Sequence, residues 1–227
     1  MSEESDRVAR AYADGHVRFL GLDLAVAPGA LVPREETEIL ARAALDALAD
    51  VPGDLRVVDM CCGAGNLACA IATHVPRAHV WASDLTDGCA KATRENAASL
   101  GLAARVTVAQ GDLFAPLAGL GLEGTVDVVV CNPPYISTGR LENDRKELLG
   151  AEPREAFDGG PYGLTIHQRV VKEALPFLRS GGLLLFEVGL GQERQVDILF
   201  RRAASYTGTQ HKTNDAGQVR VVMAKKA

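Results

Sequence analysis

The chain predicts a doubly wound α/β fold: a mainly parallel sheet with helices on both faces and a C-terminal antiparallel hairpin. Three observations carry this. Five short apolar runs rich in β-branched residues, "LRVVDM" (55–60), "AHVWASD" (78–84), "ARVTVAQGD" (104–112), "VDVVVCN" (126–132) and "GLLLFEVG" (182–189), each close on a polar residue or glycine. Between them lie longer segments with helical spacing, and such alternation predicts βαβ units. Last, "SYTGTQHKTNDAGQVRVVMAKK" (205–226) holds two alternating runs flanking "NDAGQ", which fits a hairpin better than another crossover.

In chain order, "SEESDRVARAYADG" reads as a short helix with Ser2 or Ser5 as cap. "HVRFLGLDLAVAPGALV" (16–32) alternates around Gly21 like a hairpin, and "REETEILARAALDALAD" (34–50) is an amphipathic helix ending at Pro52–Gly53. The expected helices of the main body are 66–75, 87–101, 165–182 and 189–203. Residues 1–50 thus form a small appendage to a main domain over 51–227.

At 227 residues the chain suits one full α/β domain. With 24 basic against 29 acidic side chains, a net charge of −5 leaves no global field for phosphate backbones, which disfavours nucleic acid as a partner. No stretch approaches the roughly 20 apolar residues of a membrane span, and "MSEESDRVAR" has no signal-like core. A cytoplasmic protein with no membrane partner is expected. Cys61, Cys62, Cys69, Cys89 and Cys131 lack C-x-x-C pairing, which argues for reduced, mostly buried thiols rather than a metal site. The five histidines read as surface or cap residues, and "KATREN" (91–96) and "RRAAS" (201–205) as solvated helix faces.

The chemistry sits where strands end. Asp59 closes the first run of the main domain, and Gly63 and Gly65 follow in a turn that lets a ligand approach the backbone, with Cys61 and Asn66 flanking them. Asp84, followed by Leu85, ends the second run, where a carboxylate can take both hydroxyls of a ribose. After the third run Asp112, followed by Leu113, is placed to meet an adenine amino group. Residues 63–68 formally fit the dinucleotide pattern G-x-G-x-x-A, but a pyrophosphate would be repelled by Asp59. A cationic sulfonium with an amino-acid tail would not, so S-adenosylmethionine is the expected cofactor and no metal is needed.

"NPPY", Asn132 to Tyr135, stops the fourth run, because Pro133 cannot continue a ladder. An amide nitrogen is a poor nucleophile. If the Asn132 side-chain oxygen and the Pro133 carbonyl both accept from an acceptor NH2 group, they orient it and favour charge developing on nitrogen. Tyr135 can pack on the planar group. Asn132, Pro133 and Tyr135 are therefore the candidate catalytic residues, with Asn132 also facing the cofactor.

With these residues the sequence resembles the HemK/PrmC family of glutamine side-chain methyltransferases, whose members modify a Gly-Gly-Gln loop in peptide release factors. "LVPREETEIL" (31–40) is similar to the family's substrate-side L-x-P-R-P-x-T-E segment, through Pro33, Arg34, Thr37 and Glu38. "EPREAFDGGPYGL" (152–164) resembles E-P-x-x-A-L-x-G-G-x-D-G-L, and "LLFEVGLGQ" (184–192) the strand carrying Glu187 and Gln192. The resemblance, over residues 16 to 224, implies a class I methyltransferase sheet of Rossmann-like type over 51–227. It also implies substrate-side roles for Pro33, Arg34, Thr37, Pro134, Tyr135, Glu152 and Glu187. Three departures stand out: Cys61 replaces the first loop glycine, Glu35 a proline and Tyr162 an aspartate. Family members also carry an N-terminal helical docking domain, and here only a short helix precedes the hairpin. The expected acceptor is accordingly a small molecule with an amide, hydroxamate or guanidinium group. The alternatives are a release-factor glutamine and a non-catalytic activator subunit. The charged segment 140–160 is expected to act as a lid.

Overall fold

The computed structural model describes residues 3–26, 28–143, 148–149 and 152–227. Helix α1 (Glu3–Asp14) leads into a two-stranded hairpin, β1 (His16–Phe19) and β2 (Leu22–Ala25), and helix α2 (Thr37–Ala49) follows. Of the two expected caps, Ser2 lies outside the described residues and Ser5 falls inside α1. The main body runs β3 (Leu55–Met60), α3 (Asn66–His74), β4 (Ala78–Asp84), α4 (Asp87–Ser99), β5 (Val106–Gln110) and β6 (Val126–Cys131). Then come α5 (Thr138–Asn143), α6 (Thr165–Glu173), β7 (Leu178–Glu187), α7 (Glu193–Ala203), β8 (Tyr206–Thr213) and β9 (Val219–Lys226).

The seven main strands form one sheet in the order β5-β4-β3-β6-β7-β9-β8. Strands β3 to β7 pair in parallel, and β9 joins β7 antiparallel with β8 outside it. The expected doubly wound sheet with a terminal hairpin is therefore present. Strand β3 lies at the switch point: the chain steps outward to β4 and β5, then returns to lay β6 on the other side. The crevice beyond the carboxyl ends of β3, β4 and β6 is where such sheets hold ligands.

Burial on both faces explains the apolar runs. All of β6 is buried, as is β3 apart from Arg56. On one face Leu40, Ala44 and Leu48 of α2 pack with Ile71 of α3, Val57, Val128, Leu185 and Val221. On the other, Val170 of α6 and Val196 and Phe200 of α7 pack with Val58, Val129 and Phe186. Helix α2 thus shares its core with the sheet, so the boundary expected at residue 50 crosses a continuous apolar layer.

Three expectations need correction. Helix α6 ends at Glu173 instead of continuing to 182, since Pro176 cannot donate to a helix ladder and Leu178 already begins β7. His167 is not a surface residue: it is fully buried, its Nε2 lies 3.2 Å from the Glu187 carbonyl, and its ring sits 4.9 Å from that of Phe186. Burial lowers its pKa to about 4, so it is neutral at physiological pH. Within 91–96, Thr93 and Asn96 are buried too, for reasons that belong to the site. Among the described residues no helix is long and apolar enough to cross a membrane.

Candidate active site

Two cavities meet at Asn132. The first is walled by Cys61, Gly63, Asn66, Asp84, Leu85 and Pro134, together with Gly29, Pro33, Arg34 and Thr37. The second is walled by Asn132, Pro133, Tyr135, Glu36, Arg140, Glu187 and Arg220, among others. Most of the sequence-predicted residues are thereby brought together at the carboxyl ends of β3, β4, β6 and β7.

The loop after β3 builds the first cavity. Cys61 has φ 61°, Gly63 56° and Gly65 79°, so three residues adopt the left-handed region over a short span. A Cβ at Gly63 would meet nothing within 4 Å, so that backbone is open to an incoming group. At Gly65 a Cβ would lie 2.7 Å from Thr93 Cγ2, so glycine is required both by conformation and by space. Thr93 Oγ1 donates to the Gly63 carbonyl (3.0 Å), and Asn96 Nδ2 donates to the carbonyls of Ala64 (2.9 Å) and Ala25 (3.0 Å). Asn96 Oδ1 accepts from the Ala25 N–H (2.8 Å), which ties the β1–β2 hairpin to the loop. Sequence reasoning missed both braces. Thr and Asn at i and i+3 on a polar helix face look like solvated positions, and only the packing of α4 against the loop distinguishes them.

Asp84 Oδ2 accepts from the Gly63 N–H (2.9 Å) and Oδ1 from the Thr86 N–H (3.1 Å), which fixes the carboxylate on the cavity wall. Asp59 is fully buried; its Oδ2 accepts from the Ala68 N–H (2.9 Å), while Oδ1 has no hydrogen bond among the described residues. Burial raises its pKa to about 8, the Ala68 N–H opposes that rise, and the Asp84 charge adds to it. Asp59 itself lines neither cavity; it stands behind the glycine turn with one carboxyl oxygen left open to a hydrogen-bond donor. Asp112 and Leu113 are not on the cavity wall: the Asp112 carboxylate is held in a bidentate pair by Arg169 at 2.9 and 3.0 Å, and Leu113 packs into the core.

In the second cavity, Asn132 Nδ2 donates to Thr37 Oγ1 (3.2 Å), so Oδ1 is the half of the amide left to accept a hydrogen bond from a ligand. The Tyr135 hydroxyl donates to Glu187 Oε1 (3.3 Å), and Arg220 Nη2 donates to both oxygens (3.4 Å each). Glu187 is buried, and burial raises its pKa to about 7 against the nearby Thr37 hydroxyl and Arg220. Its Oε2 has no hydrogen bond among the described residues.

Arg34 and Glu152 form an ion pair in which both are about 5% exposed, and Glu152 Oε1 also accepts from the Val32 N–H (2.8 Å). The pair clamps the segment before α2 to the segment after the "NPPY" turn. Arg34 reaches both cavity walls, whereas Glu152 lies behind them. Of the segment expected to act as a lid, Pro153, Glu155, Ala156 and Phe157 line the cavities, and residues 144–147, 150 and 151 lie outside the described residues. All five cysteines are free, and Cys61 is the least buried of them. Among the described residues no cluster of His, Cys, Asp and Glu could hold a metal.

A family model for the methyltransferase small domain matches residues 36–155. The release factor glutamine methyltransferase of Moorella thermoacetica is 40% identical over 213 residues, spanning 94% of this chain and 73% of that protein. The 4-amino-L-phenylalanine/4-methylamino-L-phenylalanine methyltransferase of Streptomyces pristinaespiralis is 38% identical over 200 residues, spanning 85% of this chain and 65% of that protein. The N-terminal domain of human METTL16, solved in complex with SAH, superposes with a TM-score of 0.67 at 15% identity over 98% of this chain and 82% of that one, a likeness of fold alone.

Proposed function

We infer the acceptor from one premise: the chain belongs to the HemK/PrmC-like family of class I methyltransferases and is an S-adenosylmethionine-dependent enzyme. S-adenosylmethionine supplies a methyl carbon on a positively charged sulfur, open to in-line displacement by a nucleophile. The proposal is that the acceptor is a planar amide-like nitrogen on a small, charged molecule of amino-acid size. One observation carries it: the cavity beyond Asn132 is lined by both signs of charge, Glu36 and Glu187 against Arg140 and Arg220. Glu187 Oε2 in particular is buried without a partner among the described residues. Arg220 pairs with Glu187 and Glu36 across this cavity, and the buried Glu187 Oε2 is the oxygen left to meet an amine or guanidinium of a compact acceptor.

In this reading Asp59, Asp84, Leu85 and the Cys61–Asn66 turn hold the donor. Thr37 fixes the Asn132 amide so that Oδ1 and the Pro133 carbonyl accept from the acceptor N–H, aiming the nitrogen lone pair at the donor cavity. Tyr135, held by Glu187, packs on the acceptor plane, and the proton leaves the nitrogen after transfer. Residues before β3 contribute the acceptor side through Pro33, Arg34 and Thr37. Asp112 and Leu113 stand off the donor wall, where Arg169 pairs with the Asp112 carboxylate.

A second reading, transfer to a release-factor glutamine, is favoured by the Moorella relative's activity and by Tyr162 and Leu190, which are 84% and 55% exposed and could meet a protein loop. Purified enzyme with methyl-labelled S-adenosylmethionine, offered unmodified release factor in one vessel and free amino acids bearing amide, guanidinium or arylamine groups in another, separates the two. Label in the amino-acid vessel alone supports the small acceptor; label on the release-factor glutamine overturns it.

A further inference from the structure

We propose that Gln192 is a positioning residue for methyl transfer: its side-chain amide ties the "NPPY" turn to two neighbouring loops and so fixes where Asn132 Oδ1 and the Pro133 carbonyl point. This role rests on the part proposed above for Asn132 and Pro133, and holds for either acceptor. Gln192 stands at the N-cap of α7, a position where a short Ser, Thr, Asp or Asn side chain bonds back to its own helix. The Gln192 side chain makes no such bond and reaches other segments instead. Its Nε2 donates to the Tyr135 carbonyl (2.9 Å) and, at longer reach, to the Gly163 carbonyl (3.4 Å), while its Oε1 accepts from the Gly189 N–H (2.9 Å). One amide therefore joins the turn after β6, the loop before α6 and the segment after β7, at the wall of the second cavity.

The turn needs such a brace. Pro133 and Pro134 have no N–H, so two successive residues of the turn cannot be held by donating to a neighbour. Just beyond them the Ile136 N–H donates to the Phe157 carbonyl (2.9 Å), and Gln192 grips the carbonyl of Tyr135 in between. The surroundings are packed closely around this point: a Cβ at Gly163 would collide with the Tyr135 carbonyl oxygen, and one at Gly189 would lie 3.0 Å from Tyr135 Cδ2 and 2.8 Å from Gln192 Oε1. Tyr135 is thus placed three ways, by its carbonyl through Gln192, by its ring against Gly189 and by its hydroxyl on Glu187 (3.3 Å). Removing the Nε2 donor frees the turn to shift, and a misplacement of about 1 Å at a reacting centre can cost about a hundredfold in rate. Gln192 is not on the wall of the first cavity, so the donor should bind as before.

The test compares two variants of the full chain. Gln192→Met keeps the length of the side chain without its amide; Gln192→Glu keeps an oxygen for the Gly189 N–H but sets a carboxylate oxygen, in place of a donor, against the Tyr135 and Gly163 carbonyls. Three quantities are read: single-turnover transfer to whichever of release factor or amino acid takes label, affinity for S-adenosylhomocysteine by calorimetry, and amide hydrogen exchange across residues 132–138 by mass spectrometry. Both variants should transfer at least about tenfold more slowly, with unchanged affinity for S-adenosylhomocysteine and faster exchange over 132–138. If neither acceptor takes label, the acceptor reading fails, and the exchange measurement, which needs no acceptor, still decides the role of Gln192. Wild-type transfer by Gln192→Glu, a loss of ligand affinity equal to the loss of rate, or unchanged exchange over 132–138 in both variants would overturn the proposal.

Discussion

Replacing Asp59 by Asn tests the electrostatics of the donor site without any substrate. The native carboxyl holds its proton up to about pH 8 because it is buried with one oxygen unpaired, while in the unfolded chain it ionises near its ordinary value of 3.8. Unfolding therefore releases a proton throughout that window, and stability falls as pH rises through it; below about 3.8 both states are protonated and the group is neutral in effect. At about 1.36 kcal/mol per pH unit, the cost grows by roughly 3 kcal/mol between pH 5 and 7.5. Asn keeps the acceptor for the Ala68 N–H and carries no charge, so it lacks this slope. Urea unfolding of donor-free protein should thus show wild type losing about 3 kcal/mol relative to Asp59→Asn between those pH values, with the variant binding S-adenosylmethionine more weakly at both. Parallel pH profiles for the two proteins would refute the reasoning, because they would mean that Asp59 is already ionised or solvated in the native state.

Gly65→Ala should destabilise the fold by about 2 kcal/mol or more and weaken donor binding, since it combines a positive φ with a clash against Thr93; thermal melts with and without S-adenosylhomocysteine read both effects. Arg34→Ala should cost about 3 kcal/mol by stranding the buried Glu152 carboxylate, while Arg34→Met with Glu152→Leu should recover much of that stability without restoring activity. Thr37→Val removes the anchor of the Asn132 amide and should lower kcat about tenfold with donor affinity unchanged; an unchanged kcat would mean that Asn132 is oriented by other contacts.

The fold was legible because its strands are buried on both faces and end abruptly. Val126 to Cys131 is apolar apart from Asp127 and meets Pro133, and Gly65 marks a turn position that a side chain would fill at a positive φ against Thr93. What was hidden depended on contacts between distant segments. Thr93 and Asn96 look solvated until α4 packs against the loop, and His167 follows a polar helix pattern although its ring lies under β7. Asp112 stands at a strand end as expected, but Arg169 of α6 takes its carboxylate, a competition that strand-end logic does not foresee. Arg34 and Glu152 could be placed near the site from their segments, yet their mutual pairing appears only when the two segments meet.

The proposed mechanism turns on Asn132, which also lines the donor cavity, acting mainly on the acceptor. Single-turnover transfer by Asn132→Ala, measured beside its affinity for S-adenosylmethionine, tests this directly. The expectation is a fall of at least about a hundredfold in the rate of transfer, the order seen when one preorganised contact to developing charge is lost, with donor affinity within a few-fold of wild type. Transfer at the wild-type rate, or an equal loss in donor binding, would contradict the account.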